Sequence, residues 1–185
     1  MKDGQEVVIG SYRFEVFLDA QAIEGRIAEL AANINADYAG KKLLFMSILK
    51  GSFMFTADLL KKISVPCEVS FVKVASYSGT DSSGSVKELI GLDRENSGYD
   101  VVIVEDIVDT GRTMEAITQS LRGKGVASLA ICTLLDKPER REVEVKVDYI
   151  GFSIPDRFVV GYGLDLDGFG RNLPDIYQLK YTEHA

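Results

Sequence analysis

Glu105, Asp106 and Asp109 stand close together in the chain, and Thr110, Gly111, Arg112 and Thr113 follow at once. Adjacent carboxylates repel each other. Glu105 and Asp106 therefore make chemical sense if they face a cation or the hydroxyls of a sugar. Gly111 lets the backbone turn tightly, and the amides of Asp109 to Thr113 then point into the turn. A helix starting here adds partial positive charge, and Thr110 and Thr113 add hydroxyl donors. The chemistry implied is a cradle for a phosphate monoester with carboxylates beside it for a sugar. A lone Asp-Thr-Gly serves equally well as an ordinary helix cap. The whole run, four apolar residues and then Glu-Asp-x-x-Asp-Thr-Gly-x-Thr, is far more specific. The rival phosphate motifs GxxxxGK[ST] and GxGxxG are absent from the sequence.

The elements that must position these residues are legible from periodicity. Val101 to Val104 is a continuous apolar run, as expected of a strand covered on both faces, and Leu43 to Leu49 is another. Glu68 to Val74 and Val126 to Leu134 read as further strands. Asp19 caps a helix with Ile23, Ile27, Leu30 and Ile34 on one face, and Ser52 opens a second helix. Met114, Ile117 and Leu121 share one face of a third helix, from Thr113 to Leu121, which Gly123 and Gly125 stop. Shorter strands are predicted at 7–17, 85–90, 149–152, 158–161 and 176–179. Ser76 to Gly84, rich in Gly, Ser and Asp, reads as a mobile loop. Strands alternating with helices predict an α/β fold, a parallel twisted sheet flanked by helices. Ligands of such sheets bind beyond the carboxyl ends of the strands.

The length of 185 residues suits a single domain over 1–185. A net charge of −7 disfavours nucleic acid as a partner but leaves room for a small anion, because local amides and a metal ion outweigh the global field. The one histidine is His184, and Cys67 and Cys132 stand apart in apolar runs, which argues against a zinc site or a Ser-His-Asp triad. No stretch approaches ~18 apolar residues, and the N-terminus has no apolar signal core. The expectation is a cytoplasmic protein with no membrane partner.

The run from Val101 to Thr113 resembles the phosphoribosyl-diphosphate motif of type I phosphoribosyltransferases. Leu49-Lys50-Gly51 is similar to the family's diphosphate-binding loop, and Ser76-Tyr77 to its closing flexible loop. Leu134 to Lys137 and Asp156 to Asp165 resemble base-binding parts of hypoxanthine-guanine members. The resemblance spans about Tyr12 to Leu179, with the motifs in the family's order.

The resemblance implies purine salvage. Ribose 5-phosphate passes from phosphoribosyl diphosphate to hypoxanthine, and guanine, through an oxocarbenium-like transition state. Glu105 and Asp106 would hold the ribose hydroxyls and a Mg²⁺, and Asp109 would act as general acid/base. Thr110, Gly111, Arg112 and Thr113 would bind the 5′-phosphate. Lys50, Gly51 and Arg171 would meet the diphosphate. Lys137, Phe158, Val159 and Asp165 would serve the base, with Asp165 also a ligand to a second Mg²⁺. An ammonium has only donors, so Lys137 suits a 6-oxo acceptor and rejects the amino group of adenine. The resemblance further implies a small base-binding hood from the terminal segments, a homodimer or homotetramer, and often a cis bond before Lys50. Gly168 and Gly170, where many members carry bulkier residues, are expected to loosen the loop that carries Arg171. Two alternatives stay open. One is an enzyme for xanthine or another base; the other is a regulator that senses phosphoribosyl diphosphate and binds nucleic acid.

Overall fold

The structure is a computed structural model that describes residues 6–75, 87–90 and 97–180. Ser76 and Tyr77 lie outside the described residues. The elements are β1 (Glu6–Ile9), β2 (Tyr12–Leu18), α1 (Ala20–Asp37), β3 (Leu43–Leu49), α2 (Phe53–Leu60), β4 (Cys67–Ala75), β5 (Lys87–Ile90), β6 (Asp100–Val108), α3 (Arg112–Arg122), β7 (Ser128–Asp136), β8 (Tyr149–Ser153), β9 (Val159–Val160) and β10 (Ile176–Leu179).

The main sheet runs β5-β4-β3-β6-β7-β8. The five strands from β4 to β8 across this order pair in parallel, and β5 adds an antiparallel edge. The continuous apolar runs have their reason in the packing. Leu43, Phe45, Val102, Val104, Cys132 and Leu134 pack with α1 and α2. Their neighbours Leu44, Met46, Ile48, Val101, Ile103 and Ile131 pack with α3. Successive residues of a strand point to opposite faces, so a sheet covered twice needs apolar residues at every position. The Asp19 carboxylate accepts from the Ala22 amide at 2.8 Å and starts α1 as expected.

From β3 the chain crosses to β4 on one side; from β6 it crosses to β7 on the other. The strand order therefore reverses between β3 and β6, the place where open α/β sheets bind ligands. Pairing between these two strands ends at Ser47 and Val104. The strand β6 nevertheless continues to Val108, four residues past its apolar run, because β7 still pairs with Glu105, Ile107 and Val108. Glu105 and Asp106 thus belong to the strand itself, along an edge that β3 has left.

A second, antiparallel sheet, β1-β2-β10-β9, joins the two ends of the chain. Phe14, Val160 and Tyr177 fill its core. This is the small sheet from the terminal segments that the resemblance implies, with Tyr177 paired to both Val16 and Val160 and Phe158 directly preceding β9. Phe45, fully buried at the centre of β3, tests the core directly. Phe45→Ala should lower unfolding stability by about 3–5 kcal/mol with an unchanged denaturant slope, read from equilibrium urea unfolding.

Candidate active site

A cleft of about 330 Å³ opens between the carboxyl ends of β3 and β6. It collects residues from three separate segments: Lys50 and Gly51, the stretch from Glu105 to Gly111 with Thr113, and Asp165 with Arg171. The first two segments touch closely. A Cβ on Gly51 would stand 1.5 Å from the Asp106 carboxylate. The third joins them, since a Cβ on Gly163 would stand 2.0 Å from the Gly51 carbonyl. The Leu49–Lys50 peptide bond is cis. Under this loop, Ser47 Oγ lies 2.7 Å from Ser52 Oγ and 2.8 Å from Thr56 Oγ1, and Ser52 Oγ donates to the Ile48 carbonyl at 2.5 Å. Ser52 starts α2 without capping it; its hydroxyl is spent on holding the loop.

The turn from Asp109 to Gly111 leads directly into α3. Gly111 takes φ 87°, a left-handed conformation, and a Cβ there would meet the Val143 carbonyl at 2.6 Å. The turn is clamped from outside. The Thr110 carbonyl accepts from the amides of Glu142 and Val143 at 2.9 and 3.1 Å. Arg141 donates to the Asp109 carbonyl at 2.9 Å while its guanidinium pairs with buried Asp136. The amides at the start of α3 are thereby held in place for an anion before one binds. Arg112 behaves differently from its neighbours. Its exposed side chain pairs with Glu142 at 2.6 Å and does not line the cleft, so its backbone amide is what faces the turn.

Glu105 is buried, and its pKa lies well above the ordinary carboxylate range. Desolvation is the main cause and the adjoining Asp106 carboxylate the second. Asp106 accepts from the Ile107 amide at 2.8 Å. Among the described residues no basic side chain pairs with either carboxylate. A pair of hard oxygen donors short of positive charge fits a divalent cation. Among the described residues no three acidic, histidine or cysteine side chains converge. Such a cation would therefore take most of its ligands from substrate oxygens and water, as magnesium commonly does.

The segment after Asp165 corrects one expectation. Leu166 and Phe169 exchange backbone hydrogen bonds at 3.0 and 2.9 Å, with Asp167 at φ 51° and Gly168 at φ 88°. This is a tight two-residue turn of the mirror-image type, which asks for Asp-Gly at its centre. The glycine there closes the turn. Arg171 pairs with Asp165 and donates to the Gly163 carbonyl at 2.6 Å, so Asp165 and Arg171 hold each other at the rim.

Lys137 is tied to the cleft wall by its amide, which donates to the Val108 carbonyl at 3.0 Å. Lys137 is buried, and its Nζ lies 3.4 Å from Asp156. Phe158 is 43% exposed, a ring free to take a stacking partner on one side, with Phe14 6.3 Å away on another. Val159 is buried and pairs with Gln178. Asp109 meets Arg140 Nε at 3.1 Å. Sequence reasoning gave no individual role to Asp136 and Asp156, which lie in the segments that resemble base-binding parts, nor to Arg140 and Arg141. The one signal was the pair of arginines in the short turn that follows the Asp136 end of β7.

A parallel sheet with a phosphate cradle and a carboxylate pair at its switch point defines a protein that handles a phosphorylated sugar. The phosphoribosyl transferase domain model matches residues 15–167, and the chain belongs to that family. The chain is 48% identical over 163 residues to the hypoxanthine phosphoribosyltransferase of Salmonella typhimurium, covering 86% of this chain and 92% of that one. It is 46% identical over 167 residues to the hypoxanthine-guanine phosphoribosyltransferase of Staphylococcus aureus, covering 90% and 93%. A crystal structure of a hypoxanthine phosphoribosyltransferase from Staphylococcus aureus superposes with a TM-score of 0.86 at 46% identity, over 90% of this chain and 91% of that chain. A hypoxanthine-guanine phosphoribosyltransferase from Bacillus anthracis, with a HEPES molecule in its active site, gives 0.84 at 37% identity, over 90% and 97%.

The raised pKa of Glu105 has a consequence for stability. Its ionisation favours the unfolded chain, so its protonated form supports the fold at low pH and that support fades as pH rises from about 4, the unfolded value, through the raised folded value. Glu105→Gln, which mimics the protonated group, should raise the thermal midpoint of the ligand-free protein at neutral pH. The difference should vanish at pH 4 and below, as calorimetry across pH would show.

Proposed function

We propose that the protein transfers ribose 5-phosphate from phosphoribosyl diphosphate to hypoxanthine and guanine, giving the nucleoside monophosphate and diphosphate. The activity is that of a hypoxanthine-guanine phosphoribosyltransferase of purine salvage; a relative 46% identical carries that name, and one 48% identical is named a hypoxanthine phosphoribosyltransferase. The observation that carries the reading is the convergence of three distant segments on one cleft, with buried Lys137 tied through its amide to Val108 in the cleft wall.

In this reading the amides and hydroxyls from Thr110 to Thr113 bind the 5′-phosphate, and Glu105 and Asp106 hold the ribose hydroxyls. The amides of Lys50 and Gly51 lie where the diphosphate leaves. Arg171 can meet the diphosphate by exchanging Asp165 for it. As the glycosidic C–N bond forms and the bond to diphosphate breaks, Asp109 accepts the proton that the purine ring loses. Lys137 donates to the 6-oxo group, Phe158 stacks on the ring, and Val159 offers backbone groups to the base edge. Magnesium would be held by Glu105 and Asp106, with Asp165 beside a second ion, and supplies charge neutralisation on the diphosphate. Ser76 and Tyr77 would belong to the covering loop.

The reading extends to one phosphoribosyltransferase domain over 1–185, in the cytoplasm, where two free cysteines are at home. It also includes a homodimer or homotetramer. Val69 and Phe71, exposed neighbours on one face of β4, are an apolar surface that such an assembly would cover. No described helix is long and apolar enough to cross a membrane.

The test is product formation with hypoxanthine, guanine, xanthine and adenine side by side, with and without Mg²⁺. Use of adenine in place of hypoxanthine would remove the lysine argument. Salt-dependent nucleic-acid binding without turnover would favour a regulator. Asp109→Asn should lower turnover about 10²-fold or more while phosphoribosyl diphosphate still binds, measured by steady-state kinetics and calorimetric titration. Lys137→Ala should weaken hypoxanthine use with little change for the diphosphate substrate; equal loss for both would point to a wrong assignment.

A further inference from the structure

Asp109 and Lys137, placed above at two positions of the purine, are joined in the structure by two residues that the reading leaves without a task. Arg140 Nε lies 3.1 Å from Asp109 Oδ1, and Arg140 Nη1 lies 3.4 Å from Asp156 Oδ2. The other oxygen of Asp156 lies 3.4 Å from Lys137 Nζ. The four side chains form one line of alternating charge, from Asp109 through Arg140 and Asp156 to Lys137. They come from different places in the chain. Asp109 follows β6, Asp156 lies between β8 and β9, and Arg140 closes the short turn Pro138–Arg140 directly after Lys137. The Arg140 amide donates to the Lys137 carbonyl at 3.1 Å, so the turn itself ties the guanidinium to the lysine.

The lysine end of this line differs from the rest of it. The Lys137 side chain is only 9% exposed, whereas those of Arg140 and Asp156 are 46% and 49% exposed. A buried ammonium needs a partner when no base is bound. Asp156 is that partner, but a carboxylate given wholly to Lys137 would compete with an incoming 6-oxo group. Arg140 shares Asp156 and so loosens its hold on the lysine. The same guanidinium fixes the Asp109 carboxylate through a half-exposed contact, weak enough to be exchanged for the substrate. A planar fork can serve two carboxylates from separate elements; an ammonium is a single point charge.

We propose that Arg140 is a positioning residue for the transfer, acting on Asp109 directly and on Lys137 through Asp156, so that both are aimed before the purine binds. The proposal rests on the functional reading above. In the full-length protein, Arg140→Ala should lower kcat/KM for hypoxanthine about 10-fold or more, since small misplacements of a reacting group carry losses up to about 10²-fold. The KM for phosphoribosyl diphosphate should stay within about 2-fold, and Arg140→Lys should recover only part of the loss. Arg140→Ala combined with Asp156→Asn should lose less than the product of the single losses, because the two act in one chain. Unchanged kcat/KM in Arg140→Ala, equal damage to both substrates, full recovery by lysine, or losses that multiply would each overturn the proposal. Wild-type protein without turnover on either oxopurine would instead overturn the functional reading, so the two failures are distinct. The circular dichroism spectrum and thermal midpoint of each variant show whether it folds, and Arg140→Gln, similar in length and uncharged, repeats the test if Arg140→Ala does not.

Discussion

The strands β3 and β6 run side by side only as far as Ser47 and Val104, and what happens beyond that point governs the site. The strand β3 turns away at Lys50, while β6 stays with β7 to Val108. Backbone that would otherwise be tied into a ladder is released there, and side chains at the strand edge face space instead of a neighbour. The opening is narrow because Gly51 presses against Asp106 and Gly163 against Gly51, contacts that leave no room for a Cβ. The residues lining the cleft are thus mounted on sheet and short turns, which hold their geometry better than long loops do.

The electrostatics of the cleft follow from that mounting. The chain carries a net charge of −7, yet the family it belongs to handles anionic phosphates. The site offers oriented amides at the start of α3, and it leaves two adjacent carboxylates without a basic side chain among the described residues. The burial of Glu105 raises the free energy of its charged form in the empty protein. In the proposed function, a cation arriving with the substrate would relieve that strain, and the ligand would complete the charge balance.

The main sheet was legible because burial on both faces demands continuous apolar runs, and Leu43 to Leu49 and Val101 to Val104 have no other use. The end of β6 was not, because Glu105 and Asp106 read as loop; β7 alone keeps them in the strand. The Asp167-Gly168 turn shows a local signal read too weakly: glycine there supplies a positive φ in a closed turn. Nothing in the sequence assigned a partner to Arg140 or Arg141. Only the folded chain sends one to Asp109 and Asp156 and the other to Asp136 and the Asp109 carbonyl.

By itself, the order of residues from Val101 to Thr113 determined that a strand would lead through carboxylates into a tight turn at the start of a helix, since these pieces are local and adjacent in the chain. Tertiary structure decided what shares the cleft with it. Lys50, Asp165 and Arg171 stand tens of residues away, and the hood pairs β2 with β10 across most of the chain's length. Such contacts depend on how sheet and helices pack, and no local periodicity encodes them. The line from Asp109 to Lys137 belongs to the same class: its four charges come together only when three separate connections fold to one end of the sheet.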